Sequence, residues 1–163
     1  MTRDEATILK RSLLESGKAI DERGDCAVRA LAAVTAEGYD KAHAALKNAG
    51  RKNRTGTYFH QTEKAIKAMG FDCESIPYRA KTVNTIQREK ALQTGSYLIR
   101  MRRHILAMVD GQIVDATQGR NFRVLSVYRV ASIAGFVPAI MAAVPFKPMA
   151  QSNTQQPLFG VDS

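Results

Sequence analysis

Between residues 4 and 18, apolar Ile8, Leu9, Leu13 and Leu14 recur among charged neighbours with the period of an amphipathic helix. The next segment, CAVRALAAVT from Cys26 to Thr35, has almost no polar face and predicts a helix buried on most sides. Gly38 breaks the chain before a helix over residues 40–49, with Ala42, Ala45 and Leu46 inward and Gly50 as a left-handed stop. A further helix is expected over residues 57–69, ending at Gly70. The pattern then changes. Residues 71–78 read as a short strand, 82–93 as a helix capped by Thr82 or Asn84, and 97–102 as a strand. Residues 123–130 alternate polar and apolar, which predicts another strand. Helices first and antiparallel strands after define an α+β class, with N-terminal helices packed on a C-terminal antiparallel β-sheet. No internal repeat is visible.

The stretch from His104 to Asp115 specifies more than two strands. Asp110-Gly111 is a dipeptide favoured by type I′ turns, whose two central residues both need positive φ. A two-residue loop there pairs Val109 with Gln112 and sets Leu106 opposite Asp115. Alternation then puts His104, Leu106, Met108, Ile113 and Asp115 on one face. His104 and Asp115 become diagonal neighbours across the strands, with Cβ atoms about 7–8 Å apart at most. A slip of one residue sends Asp115 to the opposite face, so the arrangement rests on the turn.

A chain of 163 residues has room for one sizeable core. It divides into a domain over residues 1–131 and an extension over 132–163, whose polar, proline-containing end from Lys147 reads as a flexible tail. Hydrophobic residues at 45% and charged residues at 24% are ordinary for a globular protein and point to no fibrous or disordered class. The first residues, MTRDEATILKR, carry acidic side chains and no long apolar run, unlike a secretory signal. The longest apolar stretch, 131–146, is broken by Gly135, Pro138 and Pro145, so no membrane span is expected. These features predict a cytoplasmic protein with reduced thiols. The net charge of +9 permits a nucleic-acid partner. Lys47, Arg51, Lys52 and Arg54, followed by Tyr58 and Phe59 as stacking candidates, form one basic patch; Arg100, Arg102 and Arg103 form another. The plainer reading of both patches is a solvated, soluble surface.

Cys26 at a helix start, with His104 and Asp115 brought to it from a distant hairpin, supplies the parts of a cysteine nucleophile. The positive end of the helix favours thiolate at Cys26, while an adjacent Asp25, as N-cap, disfavours it. Arg29 stands four residues on and can pair with Asp25, which is a structural role. The plainer alternatives are a buried, inert thiol and a satisfied core histidine. Cys73 reads as core, and His43 and His60 as surface or packing residues on helices. Two cysteines and three histidines at no ligand spacing predict no metal or other cofactor.

Three motifs in order, Asp25-Cys26-Ala27-Val28-Arg29-Ala30, Gly95-Ser96-Tyr97-Leu98 and His104 through Asp115, resemble those of the papain-like cysteine peptidase superfamily, especially its small bacterial and bacteriophage members. The resemblance covers about residues 20–130. It implies a papain-like fold and a thiol hydrolase, peptidase or amidase, taking a peptide or amide substrate. By position it makes Cys26 the nucleophile, His104 the general base and Asp115 the residue that orients the imidazole. The family usually places a glutamine about six residues before the nucleophile as an oxyanion donor; here that position is Ile20. Such a donor is worth about 10²–10³ in rate. The alternative implied is a catalytically inactive papain-like binding protein, a phage host-interaction factor or virion component. In the tail, Gln155-Gln156-Pro157-Leu158-Phe159 resembles the Gln-x-x-Leu-Phe peptide that docks on the bacterial sliding clamp, with Gln155, Leu158 and Phe159 as the binding residues. The other reading is that this segment folds back on its own domain.

Overall fold

The computed structural model of the protein describes residues 1–78, 80–115 and 122–134. The elements run α1 (Arg3–Ala19), α2 (Cys26–Thr35), α3 (Tyr39–Asn48), α4 (Phe59–Ala68), β1 (Phe71–Ile76), α5 (Val83–Glu89), β2 (Ser96–Met101), β3 (His104–Val109), β4 (Gln112–Val114) and β5 (Val124–Ser132). The strands form an antiparallel sheet in the order β1-β5-β2-β3-β4, on which the helices pack, an α+β architecture.

Local chemistry sets several boundaries. Thr2 Oγ1 accepts the Glu5 N–H at 3.2 Å and the Glu5 carboxylate accepts the Thr2 N–H at 2.6 Å, so α1 opens on a reciprocal cap. α4 begins at Phe59 rather than residue 57. α5 is capped by Thr82, and it stops at Glu89 because Lys90 takes a left-handed φ of 51°, well before residue 93. β5 continues to Ser132, which pairs with Phe71 of β1, so the expected domain limit at 131 falls inside a strand. Gln155, Leu158 and Phe159 lie outside the described residues.

Two apolar layers sandwich the sheet. On one face α2 is the central element: Val28, Leu31 and Val34 are buried with Ala27, Ala30, Ala32 and Ala33. The alanines let its backbone come close to β3, whose Ile105 and Ala107 belong to the same cluster as Leu46 of α3 and Ile66 of α4. The other face is covered by Val83 and Ile86 of α5, packed with Ile99, Met101, Leu106, Met108 and Val127. The inward side of α1 is Ala6, Leu13 and Gly17, whereas Ile8, expected inside, is 69% exposed. At Gly17 there is no room for a side chain: a Cβ on that glycine would lie 2.5 Å from Asp25 Oδ2.

The β3–β4 turn has φ of 47° at Asp110 and 77° at Gly111, and Val109 pairs with Gln112. Both central residues are left-handed, as a type I′ turn demands. β4 pairs only from Gln112 to Val114, opposite Val109 to Ala107. Among the described residues, the start of β3 lies beyond that ladder.

Candidate active site

The start of α2 meets the start of β3. Cys26 is the first residue of α2, and its sulfur interacts with the His104 side chain and with the backbone N–H of Ile105. His104 Nε2 lies 2.9 Å from Asp115 Oδ2, which leaves Nδ1 for the thiol. The His104 side chain is 15% exposed and that of Asp115 4%. The structure thus brings Cys26, His104 and Asp115 into one chain of contacts, from an N-terminal helix and a hairpin some eighty residues away.

The electrostatics of the pair are coherent. Burial pushes the Cys26 thiol up, but the His104 hydrogen bond, the Ile105 N–H and the charges of His104 and Arg29 together bring it below the usual 9.0. The Asp115 hydrogen bond first, and the Cys26 contact second, raise the His104 imidazole to about 9 against the opposing effect of burial. Both shifts favour thiolate beside imidazolium. Cys73 is the contrast: burial, then the charges of Glu63 and Asp72, push its thiol up to about 11. Both cysteines are free.

Asp25 precedes the helix but makes no side-chain cap. Its Oδ2 accepts the Tyr39 hydroxyl at 2.9 Å, and its Oδ1 lies 3.0 Å from Arg29 Nε. The ion pair expected of Arg29 is present, and the same guanidinium also lowers the Cys26 thiol, a role beyond the structural one assigned to it from sequence.

A cavity of about 730 Å³ opens over Cys26 and His104. One wall is the loop Thr55, Gly56 and Thr57, and the other comes from β2 and the β2–β3 turn. Thr57 Oγ1 is buried and has no hydrogen-bond partner among the described residues, which the sequence did not single out. Ile20, at the position where the resemblance calls for an amide, ends α1 with an exposed side chain and does not line the cavity.

The loop wall is anchored by Glu22, whose side chain is 2% exposed. Glu22 accepts from Arg51 Nη2 at 2.9 Å, contacts His43 Nε2 at 2.8 Å and accepts the Arg54 backbone N–H. Burial alone would raise this carboxyl, but Arg51, His43 and the Arg54 N–H more than offset it and hold it at about 2. Gly24, at a φ of 65°, lets this connection approach the backbone of Thr55. The basic patch expected at residues 47–54 is correspondingly reduced. Arg51 is buried on Glu22, and Arg54 pairs with Asp21. Phe59, expected as a base-stacking residue, packs on Tyr128 with ring centroids 4.3 Å apart and lies under Arg100. Tyr58 remains exposed beside His60.

Among the described residues no helix is long and apolar enough to cross a membrane, and no cluster of three metal-ligating side chains gathers. Compared with known proteins, the chain matches no family model, no curated protein and no solved structure.

Proposed function

We propose that the protein is a papain-like thiol hydrolase, a peptidase or amidase that works through an acyl-enzyme. The observation that carries this reading is the placing of Cys26 and His104 together at the mouth of one cavity, with His104 Nε2 2.9 Å from Asp115 Oδ2. The Cys26 thiolate attacks the carbonyl carbon of an amide. The C–N bond breaks as the His104 imidazolium gives its proton to the departing amine, leaving a thioester on the sulfur. Water, deprotonated by the now neutral His104, then attacks the thioester and releases the acid and the thiolate. Asp115 holds the tautomer and stabilises the imidazolium throughout.

The tetrahedral oxyanion needs donors. The Cys26 N–H at the uncapped start of α2 is one, and the unpartnered Thr57 hydroxyl in the cavity wall is suited to replace the amide missing at Ile20. A peptidyl vinyl sulfone tests the reading. It is expected to alkylate Cys26 alone, to leave Cys26→Ala unmodified and to react at least about a hundredfold more slowly with His104→Ala. Equal labelling of Cys26 and Cys73, or an unchanged rate in His104→Ala, overturns the hydrolase and leaves the inactive binding protein as the reading.

A further inference from the structure

The walls of the cavity carry a charge pattern that the triad does not use. Arg100, Arg102 and Arg103 line it beside Cys26 and His104. A second hollow of about 460 Å³ shares Arg102 and Leu125 with the first and adds Phe122 and Arg123. Among the described residues, no aspartate or glutamate lines either one. The arginine ion pairs among the described residues belong to Arg23, Arg29, Arg51 and Arg54, so Arg102, Arg103 and Arg123 face the groove without a carboxylate partner there. Arg100 is held in place over the Phe59 ring, 5.4 Å from its centroid.

Resting on the hydrolase reading, we infer that the two neighbouring hollows bind an acidic peptide, with a side-chain carboxylate received between Arg102 and Arg123 next to the amide presented to Cys26. Guanidinium groups match carboxylates in two-point geometry, and a cleft of one sign concentrates the opposite charge. Two neighbouring hollows that share Arg102 and Leu125 suit an extended chain, where a small amide would fill only the first. Leu125, Phe122 and Met101 add apolar surface for neighbouring side chains. A nucleic acid is the other polyanion that arginines serve, but this charge converges on a thiol, whose chemistry is with acyl carbon.

The test uses the intact protein and Cys26 as reporter. Iodoacetate and iodoacetamide deliver the same alkyl group with and without a carboxylate. The ratio of their rates at Cys26 is expected to fall about fivefold to tenfold in Arg102→Glu/Arg123→Glu, by a smaller factor in Arg102→Gln/Arg123→Gln, and also in high salt. A hexaglutamate peptide is expected to protect Cys26 in the native protein and not in the double variants. A ratio unchanged by both double variants overturns the acidic subsite. Protection by a single-stranded oligonucleotide but not by hexaglutamate overturns it in favour of nucleic acid. Should Cys26 react no faster than Cys73 with either reagent, it is the hydrolase reading itself that fails.

Discussion

The two cysteines of this chain are an internal pair of reporters, because the fold pushes their thiols in opposite directions. Cys73 sits at about 11 and Cys26 below 9.0. At pH 7 the first holds about 10⁻⁴ of its sulfur as thiolate, and a thiol at 9.0 about 10⁻². Cys26 therefore exceeds Cys73 in thiolate by at least about a hundredfold. The more basic thiolate is intrinsically the better nucleophile, and a Brønsted slope of about 0.4–0.5 over two pKa units returns close to tenfold. Net alkylation of Cys26 by iodoacetamide is then expected to be at least about tenfold faster at pH 7. Peptide mapping by mass spectrometry after short exposures across pH reads both sites in one sample. The Cys26 rate levels off at lower pH, while that of Cys73 climbs with pH towards about 11. In His104→Ala the burial of Cys26 persists without its main compensation, so the preference narrows or reverses. Equal rates in the native protein, or an unaltered preference in His104→Ala, refute the ion-pair argument.

Three further outcomes follow from the same geometry. His104 is raised to about 9, so it remains imidazolium up to that pH and amine release declines above it. Asp115→Asn removes the first cause of the shift and moves this alkaline limb to lower pH, read from hydrolysis rate against pH. Glu22→Gln breaks a buried pair with Arg51 and costs about 3 kcal/mol, a fall in Tm of about 6–12 °C by calorimetry. Because folding depresses the Glu22 carboxyl to about 2, its stabilisation is full above about 4.5 and is lost as pH falls through about 2; a native protein whose acid unfolding matches that of the variant contradicts this. Gly17→Ala, which normally stabilises a helix by about 1 kcal/mol, is expected instead to destabilise by about 1–3 kcal/mol, since the new Cβ meets Asp25 at 2.5 Å. A raised Tm in that variant excludes the clash.

What the sequence made legible was what neighbouring residues settle among themselves. Asp110-Gly111 dictates a turn, the turn dictates the pairing of Val109 with Gln112, and that pairing carries His104 and Asp115 to within 2.9 Å. The polarity of CAVRALAAVT likewise marks a buried helix wherever it is placed. The contacts that sequence could not supply join segments with no pattern in common. Nothing in the run Arg51-Lys52-Asn53-Arg54 separates the arginine that will be buried on Glu22 from the lysine left in solvent. The packing face of α1 was legible only in part. Leu13 of its apolar stripe is buried and Leu9 packs on the core, but Ile8 is exposed, and the burial of Gly17 against Asp25 has no apolar signal. Thr57 has no sequence signal at all, because its interest is the lack of a partner among the described residues, in a cavity built from separate segments.

The placement of Asp25 explains why the thiol can carry charge. A side chain at this position is well suited to cap a helix, a contact typically worth about 1 kcal/mol. The protein forgoes it, turning the carboxylate to Tyr39 and Arg29. Had Asp25 capped the helix, its negative charge would sit over the first N–H groups of α2, beside the sulfur, and would oppose the thiolate. Turned away and paired, it leaves the positive end of α2 open to the thiolate and the oxyanion alike, and it holds the Arg29 charge near Cys26. Tyr39→Phe tests this balance. Losing the 2.9 Å hydrogen bond frees Asp25 Oδ2 to turn towards the helix start, so Cys26 alkylation at pH 7 is expected to slow while Cys73 is unaffected. If the variant reacts as the native protein does, the orientation of Asp25 has no bearing on the thiol.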